Sequence, residues 1–237
     1  MTDRLSASYA GRLMACPGSA DLTASIPGFV YPEEIDGGAR ATGDLWHDVL
    51  EQIVSNTTPS KMQALITALL YVQDLRSRRR FKVLTEHKGT AEWLVTKPTT
   101  TADLILYVKD EIHIIDYKTG VIPVSPVDNA QLKYYAAVFE YLAPLAKFVT
   151  VHIVQPWSKT WVRSEIRITR AEIATFKKEL QKTEEKILRK DTTLHPSDHC
   201  TFCAANPLSR GEKGKPYCPA VMQIRFPLIE DEEELLR

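Results

Sequence analysis

The chain has 237 residues, 44% of them hydrophobic and 25% charged, with Lys+Arg and Asp+Glu balanced at 30 each. This is the composition of an ordinary globular protein, enough for one large domain or two small ones. It excludes a uniformly basic or acidic surface, so any site for a polyanion must be a local patch.

Arg76–Arg80 (Arg-Ser-Arg-Arg-Arg) is one such patch, and the tail from Glu230 to Glu234 is an acidic counterpart; either also reads as solvated surface. No apolar run approaches the roughly 18–20 residues of a membrane span. The start, MTDRLSASYAG, lacks the apolar core of a signal peptide. A cytoplasmic protein is expected. There, the four cysteines read as metal ligands or buried small side chains rather than as two disulfides.

In chain order, Ser6 and Ser8 are candidate caps for a short helix ending before Cys16-Pro17-Gly18. Residues 24–38, with Pro27, Gly28, Pro32, Gly37 and Gly38, read as a loop. Leu45, Trp46, Val49, Leu50 and Ile53 recur at helical steps and predict a helix over 40–54. A second helix is expected over 60–78, with Met62, Leu65, Ile66, Leu69, Leu70 and Leu75 on its apolar side. Short β-branched or aromatic runs predict strands at 81–87, 90–96, 102–108 and 111–117. A helix over 127–143 and strands at 147–155 and 161–168 follow. A charged helix over 169–190 opens with Thr169 and, three residues on, Glu172, the pattern of a capping box. Residues 191–225 show no period and need something to staple them. The order implies an α/β protein with one central mixed sheet flanked by helices.

The chemistry concentrates at "IIDYKTG", residues 114–120. Alternate strand residues share a face, so Ile112, Ile114, Asp116 and Lys118 line one side. Asp103 opens the preceding strand, which the Lys109–Glu111 turn folds back. Asp103 and Asp116 would then meet near neighbouring strand ends, with Lys118 beside them. Two close carboxylates repel and raise each other's pKa, which a divalent cation relieves. Hard oxygen ligands suit Mg²⁺ or Mn²⁺. Such an ion lowers the pKa of a water and stabilises charge on a phosphoryl group, while Lys118 could position or deprotonate that water. The same three residues also occur together by chance in many proteins. His47, four after Gly43, lies on the helix expected over 40–54, and Gln131 and Tyr135 share a face of the helix expected over 127–143.

The ordered set Gly43…His47, Asp103, Asp116-Tyr117-Lys118 and Gln131…Tyr135 resembles the RecB-like group of PD-(D/E)XK nucleases, with their restriction-endonuclease-like core. The resemblance implies that His47, Asp103 and Asp116 are metal ligands, with the backbone carbonyl of Tyr117. It implies that Lys118 is catalytic with the two aspartates, and that Gln131 and Tyr135 hold the DNA backbone. One departure is Thr100, where the family pattern often has a glycine three residues before the first aspartate.

Cys200-Thr201-Phe202-Cys203 is a C-x-x-C whose turn can bring two sulfurs to one metal; Cys218 follows, and Cys16 stands alone near the start. Some RecB-like nucleases carry a 4Fe–4S cluster on one cysteine before the nuclease motifs and three after them, and this chain has that layout, with a wider gap before Cys218. By resemblance Cys16, Cys200, Cys203 and Cys218 would hold an iron–sulfur cluster. A structural Zn²⁺ is the alternative, with His199 able to replace one thiolate. The two ends of the chain also look like an uncharacterised phage and prophage family of such nucleases, and the resemblance spans residues 5–220.

The resulting expectation has a nuclease core over 1–190 and a cysteine-stapled C-terminal lobe over 191–237, closed onto the N-terminus through Cys16. The expected activity is Mg²⁺- or Mn²⁺-dependent hydrolysis of DNA phosphodiesters, as an exonuclease of phage or prophage recombination, in the host cytoplasm where phage-encoded. The partners implied are DNA and a single-strand annealing or recombination protein. A ring-shaped homo-oligomer would favour processivity, though no residue demands one. A non-catalytic DNA-binding or partner-docking module with the same fold and cluster, and a zinc-stapled interaction protein, are the rival readings.

Overall fold

Lys109 and Asp110 turn the chain between two strands rich in Ile, Leu and Val, and the sheet grows outward from this hairpin. The computed structural model describes residues 5–24, 26, 59–118, 122–156, 158, 163–197, 199, 200, 203, 205, 206 and 218–220, with side chains from 66 onward in the helix that begins at 59. Its strands are β1 (Lys82–Thr90), β2 (Thr99–Val108), β3 (Glu111–Tyr117), β4 (Phe148–Val154) and β5 (Arg163–Thr169). They pair in the order β1-β2-β3-β4-β5, antiparallel except for the parallel β3–β4 pair. A parallel pair needs a crossover, and here a helix supplies it. The helices are α1 (Ala7–Ala15), α2 (Ser19–Ala24), α3 (Pro59–Ser77), α4 (Ala130–Phe139) and α5 (Arg170–Leu188). The protein is therefore α/β, a five-stranded mixed sheet with helices on both faces.

On one face Ile105, Ile112, Ile114 and Ile153 pack beneath Leu13 of α1, Tyr134 and Phe139 of α4, and Phe176 and Leu180 of α5. At Gly89 an added Cβ would lie 2.5 Å from the side chains of Val138 and Phe139, so glycine is what lets α4 settle on β1. On the other face Leu104, Leu106, Ile115 and Val154 pack against Ala68, Tyr71, Val72 and Leu75 of α3. The α3 face differs from the expected one. Ile66, Leu69 and Leu70 are exposed, and only Leu75 of the described predicted positions is buried. The cause is polar as well as apolar. Tyr71 turns inward because its hydroxyl has partners below it, lying 2.7 Å from His152 Nδ1 and donating to Glu165 Oε2 at 3.0 Å. His152 Nε2 in turn lies 2.9 Å from His113 Nδ1, and His113 Nε2 lies 2.9 Å from Glu111 Oε1.

Three other boundaries move. The strands expected at 81–87 and 90–96 are one strand, β1, followed by turns. The backbone N–H groups of Val95 and Thr96 donate to the buried Glu184 of α5 at 2.9 and 2.8 Å, so a carboxylate rather than a neighbouring strand satisfies them. The fourth helix is shorter than 127–143: Asn129 caps it by accepting from the Leu132 N–H, and a 3₁₀ turn, Glu140–Leu142, ends it. The last strand runs from Arg163 to Thr169, ending at the cap of α5. The capping box of Thr169 and Glu172 forms as expected, with both reciprocal bonds made. Among the described residues no helix is long and apolar enough to cross a membrane. Of the loop expected over 24–38, Ala24 instead ends α2, and residues 27–38, the expected helix over 40–54 with His47, and the acidic tail lie outside the described residues.

Candidate functional site

The β2–β3 register pairs Leu104 with Ile115, so the next step outward sets Asp103 against Asp116. Asp116 is buried at 3% exposure, whereas Asp103 is half-buried. The N–H of Tyr117 donates to Asp103 Oδ2 at 2.7 Å, tying the first carboxylate to the end of β3. The Lys118 N–H donates to the Val154 carbonyl at 2.9 Å, which carries the backbone of β3 past its last strand residue and keeps Lys118 on the side of Asp116.

Lys118 Nζ stands 2.9 Å from Asp116 Oδ2 and donates to Gln131 Oε1 at 2.8 Å. Gln131 Nε2 donates to the Tyr135 hydroxyl at 2.9 Å, one turn further along α4. Asp103, Asp116, Lys118, Gln131 and Tyr135, five of the residues singled out in the sequence, thus occupy one corner between β2, β3 and α4. Burial pushes the Asp103 carboxyl up to about 6; the Tyr117 N–H opposes the rise, and the charges of Asp116 and Glu86 add to it. Burial also raises Asp116, against the pull of Lys118. Tyr135 is raised by burial and then by the two aspartates. Asp116 Oδ2 is buried, and the Lys118 ammonium at 2.9 Å is the partner that offsets its charge. Two carboxylates held together at a half-buried strand end, each raised by burial, suit a hard cation.

Glu86 was not singled out from sequence. It sits across β1 from Asp103, between the pairs Thr85–Leu104 and His87–Ala102, with φ of 46°. A non-glycine residue held in the left-handed region is uncommon and concentrates at functional sites. Nothing in "LTEHK" signals that conformation.

A second grouping lies where the two ends of the described chain meet. The Gly18 N–H donates to the Thr193 carbonyl at 3.2 Å, and an added Cβ on Gly18 would be 2.8 Å from the backbone of Thr192 and Thr193. The His195 N–H donates to Cys16 Sγ at 3.4 Å. The Cys203 N–H donates to the Cys200 carbonyl, forming the C-x-x-C turn, and the Cys218 N–H donates to the Ala205 carbonyl. Buried Asn206, also missed in the sequence, locks that turn through its side-chain N–H to the Cys200 carbonyl at 3.0 Å. Cys203 and Cys218 share a small apolar cluster with Ile26, Ala205 and Ala220, against which Cys200 packs. None of the four cysteines is in a disulfide. Burial raises the Cys200 thiol, and Cys203, Cys218 and Cys16 are near enough to raise it further.

Arg12 of α1 reaches the same place, donating from Nη1 to Cys203 Sγ at 3.8 Å, while its Nε and Nη2 are buried without a hydrogen-bond partner among the described residues. A cation with unspent donors beside Cys203 suits a thiolate ligand there. Among the described residues no three His, Cys, Asp or Glu side chains already form a ligating cage at either grouping. His199, the alternative ligand, has its Nδ1 2.6 Å from Ser197 Oγ.

No curated protein matches the chain. A solved structure titled "Crystal structure of SSO0001" is similar at 18% identity over 77% of this chain and 80% of that chain, with a TM-score of 0.39, too low for the likeness to bear on fold or function. A family profile described as "Protein of unknown function (DUF2800)" matches residues 63–233, well over half of the chain, and the protein belongs to that family.

Proposed function

We propose that the protein is a metal-dependent DNA nuclease of the PD-(D/E)XK type, acting as an exonuclease in phage or prophage recombination. The observation that carries this reading is the corner at the end of β3. Two mutually repelling carboxylates, Asp103 and Asp116, meet at neighbouring strand ends, with the Lys118 ammonium 2.9 Å from Asp116 Oδ2. Asp103, Asp116 and the Tyr117 carbonyl would hold Mg²⁺ or Mn²⁺, with His47 as a further ligand. When bound, such an ion lowers the pKa of water and neutralises charge on a phosphodiester.

The chain's own residues do the rest. Lys118, steadied by Asp116 and Gln131, holds a positive Nζ where it can orient the attacking water or stabilise the phosphate. Gln131 and Tyr135 keep that ammonium in place and present α4 to the DNA backbone. Tyr135 stays a neutral phenol, because burial and both aspartates oppose its ionisation.

The cysteine grouping is proposed as the second cofactor site, a structural 4Fe–4S cluster on Cys16, Cys200, Cys203 and Cys218 that joins a C-terminal lobe to the N-terminal helices. Four cysteines outside any disulfide and the Arg12 and His195 donors support it. Cysteine thiolates are the usual ligands of such clusters. A Zn²⁺ on the same thiolates would meet the same donors, and metal analysis separates the two. The decisive experiment for the activity is digestion of end-labelled DNA with Mg²⁺, with Mn²⁺ and with EDTA. Metal-dependent release of nucleotides that Asp116→Asn abolishes supports the reading; intact DNA in every lane overturns it.

A further inference from the structure

The α3 side of the sheet carries a cleft of about 710 Å³ that shares Asp103 and Tyr117 with the mechanism above and otherwise extends beyond it. Leu69 and Val72 of α3, Val83 of β1, Leu104 of β2 and Tyr117 line it, together with the carboxylates of Asp103 and Glu86. A second hollow of about 430 Å³ continues it past the end of α3, sharing Arg76 and Val83 and adding Arg80 and Phe81. The apolar surface is real exposure: Leu69 is 57% exposed, Val83 39% and Tyr117 43%.

The cations along this path are not equivalent. Arg78 is paired with Asp74, and Arg79 with Asp110 and Glu111. Arg76 and Arg80, both exposed, make no ion pair or hydrogen bond with the described residues. Arg76 is close enough to Tyr117 to pull its phenol down against the rise caused by burial. The groove therefore joins the carboxylates and Tyr117, in the first hollow, to Arg80 and Phe81, in the second, through the shared Arg76 and Val83. A cleft of this volume falls within the range, roughly 300–1,000 Å³, that encloses a drug-sized group. That is the scale of an unpaired nucleoside, not of a duplex whose major groove alone is about 12 Å across.

We infer that this groove binds single-stranded nucleic acid, with one unpaired base stacked on Tyr117 among the apolar walls and successive phosphates on Arg76 and Arg80. The inference rests on the nuclease reading for the identity of the polyanion, and it names the strand form that reaches Asp103. Aromatic stacking and backbone-tracking cations are the two devices by which proteins hold single strands without reading sequence. The Asp103 and Glu86 carboxylates admit a phosphate only where a cation meets them, so the neutral base and the phosphates on the arginines supply the binding.

The test is fluorescence anisotropy of a labelled 12-nucleotide single strand and of the matching duplex, with the full chain in EDTA, across a salt series. The wild type should prefer the single strand. Arg76→Gln with Arg80→Gln should flatten the slope of log K against log salt by about 1.4, at roughly 0.7 for each phosphate no longer neutralised. Tyr117→Leu, which keeps the backbone carbonyl, should weaken binding about 5- to 150-fold, the loss of one stacked base. Arg189→Gln, which removes an exposed cation at the end of α5, should match the wild type. Equal binding of the duplex, wild-type affinity and slope in the double arginine variant, or no binding at low salt would each overturn the groove. Because no cleavage is read, these outcomes are separate from the fate of the nuclease reading, which digestion of end-labelled DNA by the wild-type protein decides.

Discussion

Lys118 Nζ and Asp116 Oδ2 stand 2.9 Å apart, two residues along the end of one strand. The alternation of the strand puts both on the same side, and the Val154 carbonyl holds the backbone that keeps them there. Lys118→Ala should leave the fold intact, since Lys118 lies outside the packed core, and should lower DNA cleavage by about 10²–10⁴, the usual contribution of one positioned proton-transfer group. Circular dichroism and single-turnover digestion check both halves. Digestion at the wild-type rate would remove Lys118 from the chemistry.

Gln131 acts through Lys118 and is a positioning residue. Its Oε1 accepts from Nζ and its Nε2 donates to Tyr135. A hydrogen bond to a charged group contributes about 1.5–3 kcal/mol, so Gln131→Ala should lower kcat by roughly 10- to 150-fold. Gln131→Glu, which retains the acceptor, should recover part of that loss. An effect confined to KM, with kcat unchanged, would assign Gln131 to DNA binding alone.

The cysteine grouping predicts a division between variants. Anaerobically purified protein should be brown, with broad absorbance near about 400 nm and about four irons per chain, as thiolate-bound clusters give. Lys118→Ala should keep the colour and Cys203→Ala should lose it. Gly18→Ala should also lose it in large part, because its Cβ would displace the Thr192–Thr193 backbone that brings His195 to Cys16. One zinc per colourless chain would replace the cluster by a zinc staple.

The buried histidine beneath α3 predicts acid sensitivity. His152 is fully buried, and desolvation, then His113 and Arg78, hold its pKa down to about 3 from the ordinary 6.5. A base with a depressed folded pKa is neutral in the native state and protonated in the unfolded one below pH 6.5. Its contribution is therefore complete above pH 6.5 and is lost progressively as the pH falls toward 3. At pH 5 the loss is about 2 kcal/mol, from about 1.4 kcal/mol per unit over the first 1.5 units. Urea unfolding at pH 7.5 and 5.0 should show this drop in the wild type and a smaller one in His152→Gln. Equal drops in the two proteins would place the acid sensitivity elsewhere.

Period and punctuation carried much of this protein by themselves. Runs of Ile and Leu broken by Lys109-Asp110 specify the β2–β3 hairpin, and Thr169 with Glu172 specifies the start of α5, because each depends only on neighbours in the chain. Strand alternation puts Asp116 with Lys118, and helical spacing puts Gln131 with Tyr135, for the same reason; that they form one set with Asp103 was implied only by the resemblance to RecB-like nucleases. What the fold decided is what depends on partners far along the chain. The run at 90–96 has strand-like residues but becomes a turn, because Glu184, almost ninety residues on, accepts its N–H groups. The helix α3 has leucines enough for another face, but Tyr71 reaches a polar network assembled from β3, β4 and β5 and sets the rotation of the helix. The left-handed Glu86 opposite Asp103, the Arg12 donors at Cys203, and the two free arginines left over after Arg78 and Arg79 find carboxylates follow from long-range contacts too. Side-chain period is a one-dimensional signal, whereas the pairing of buried charges and donors is settled only where distant segments exclude water together.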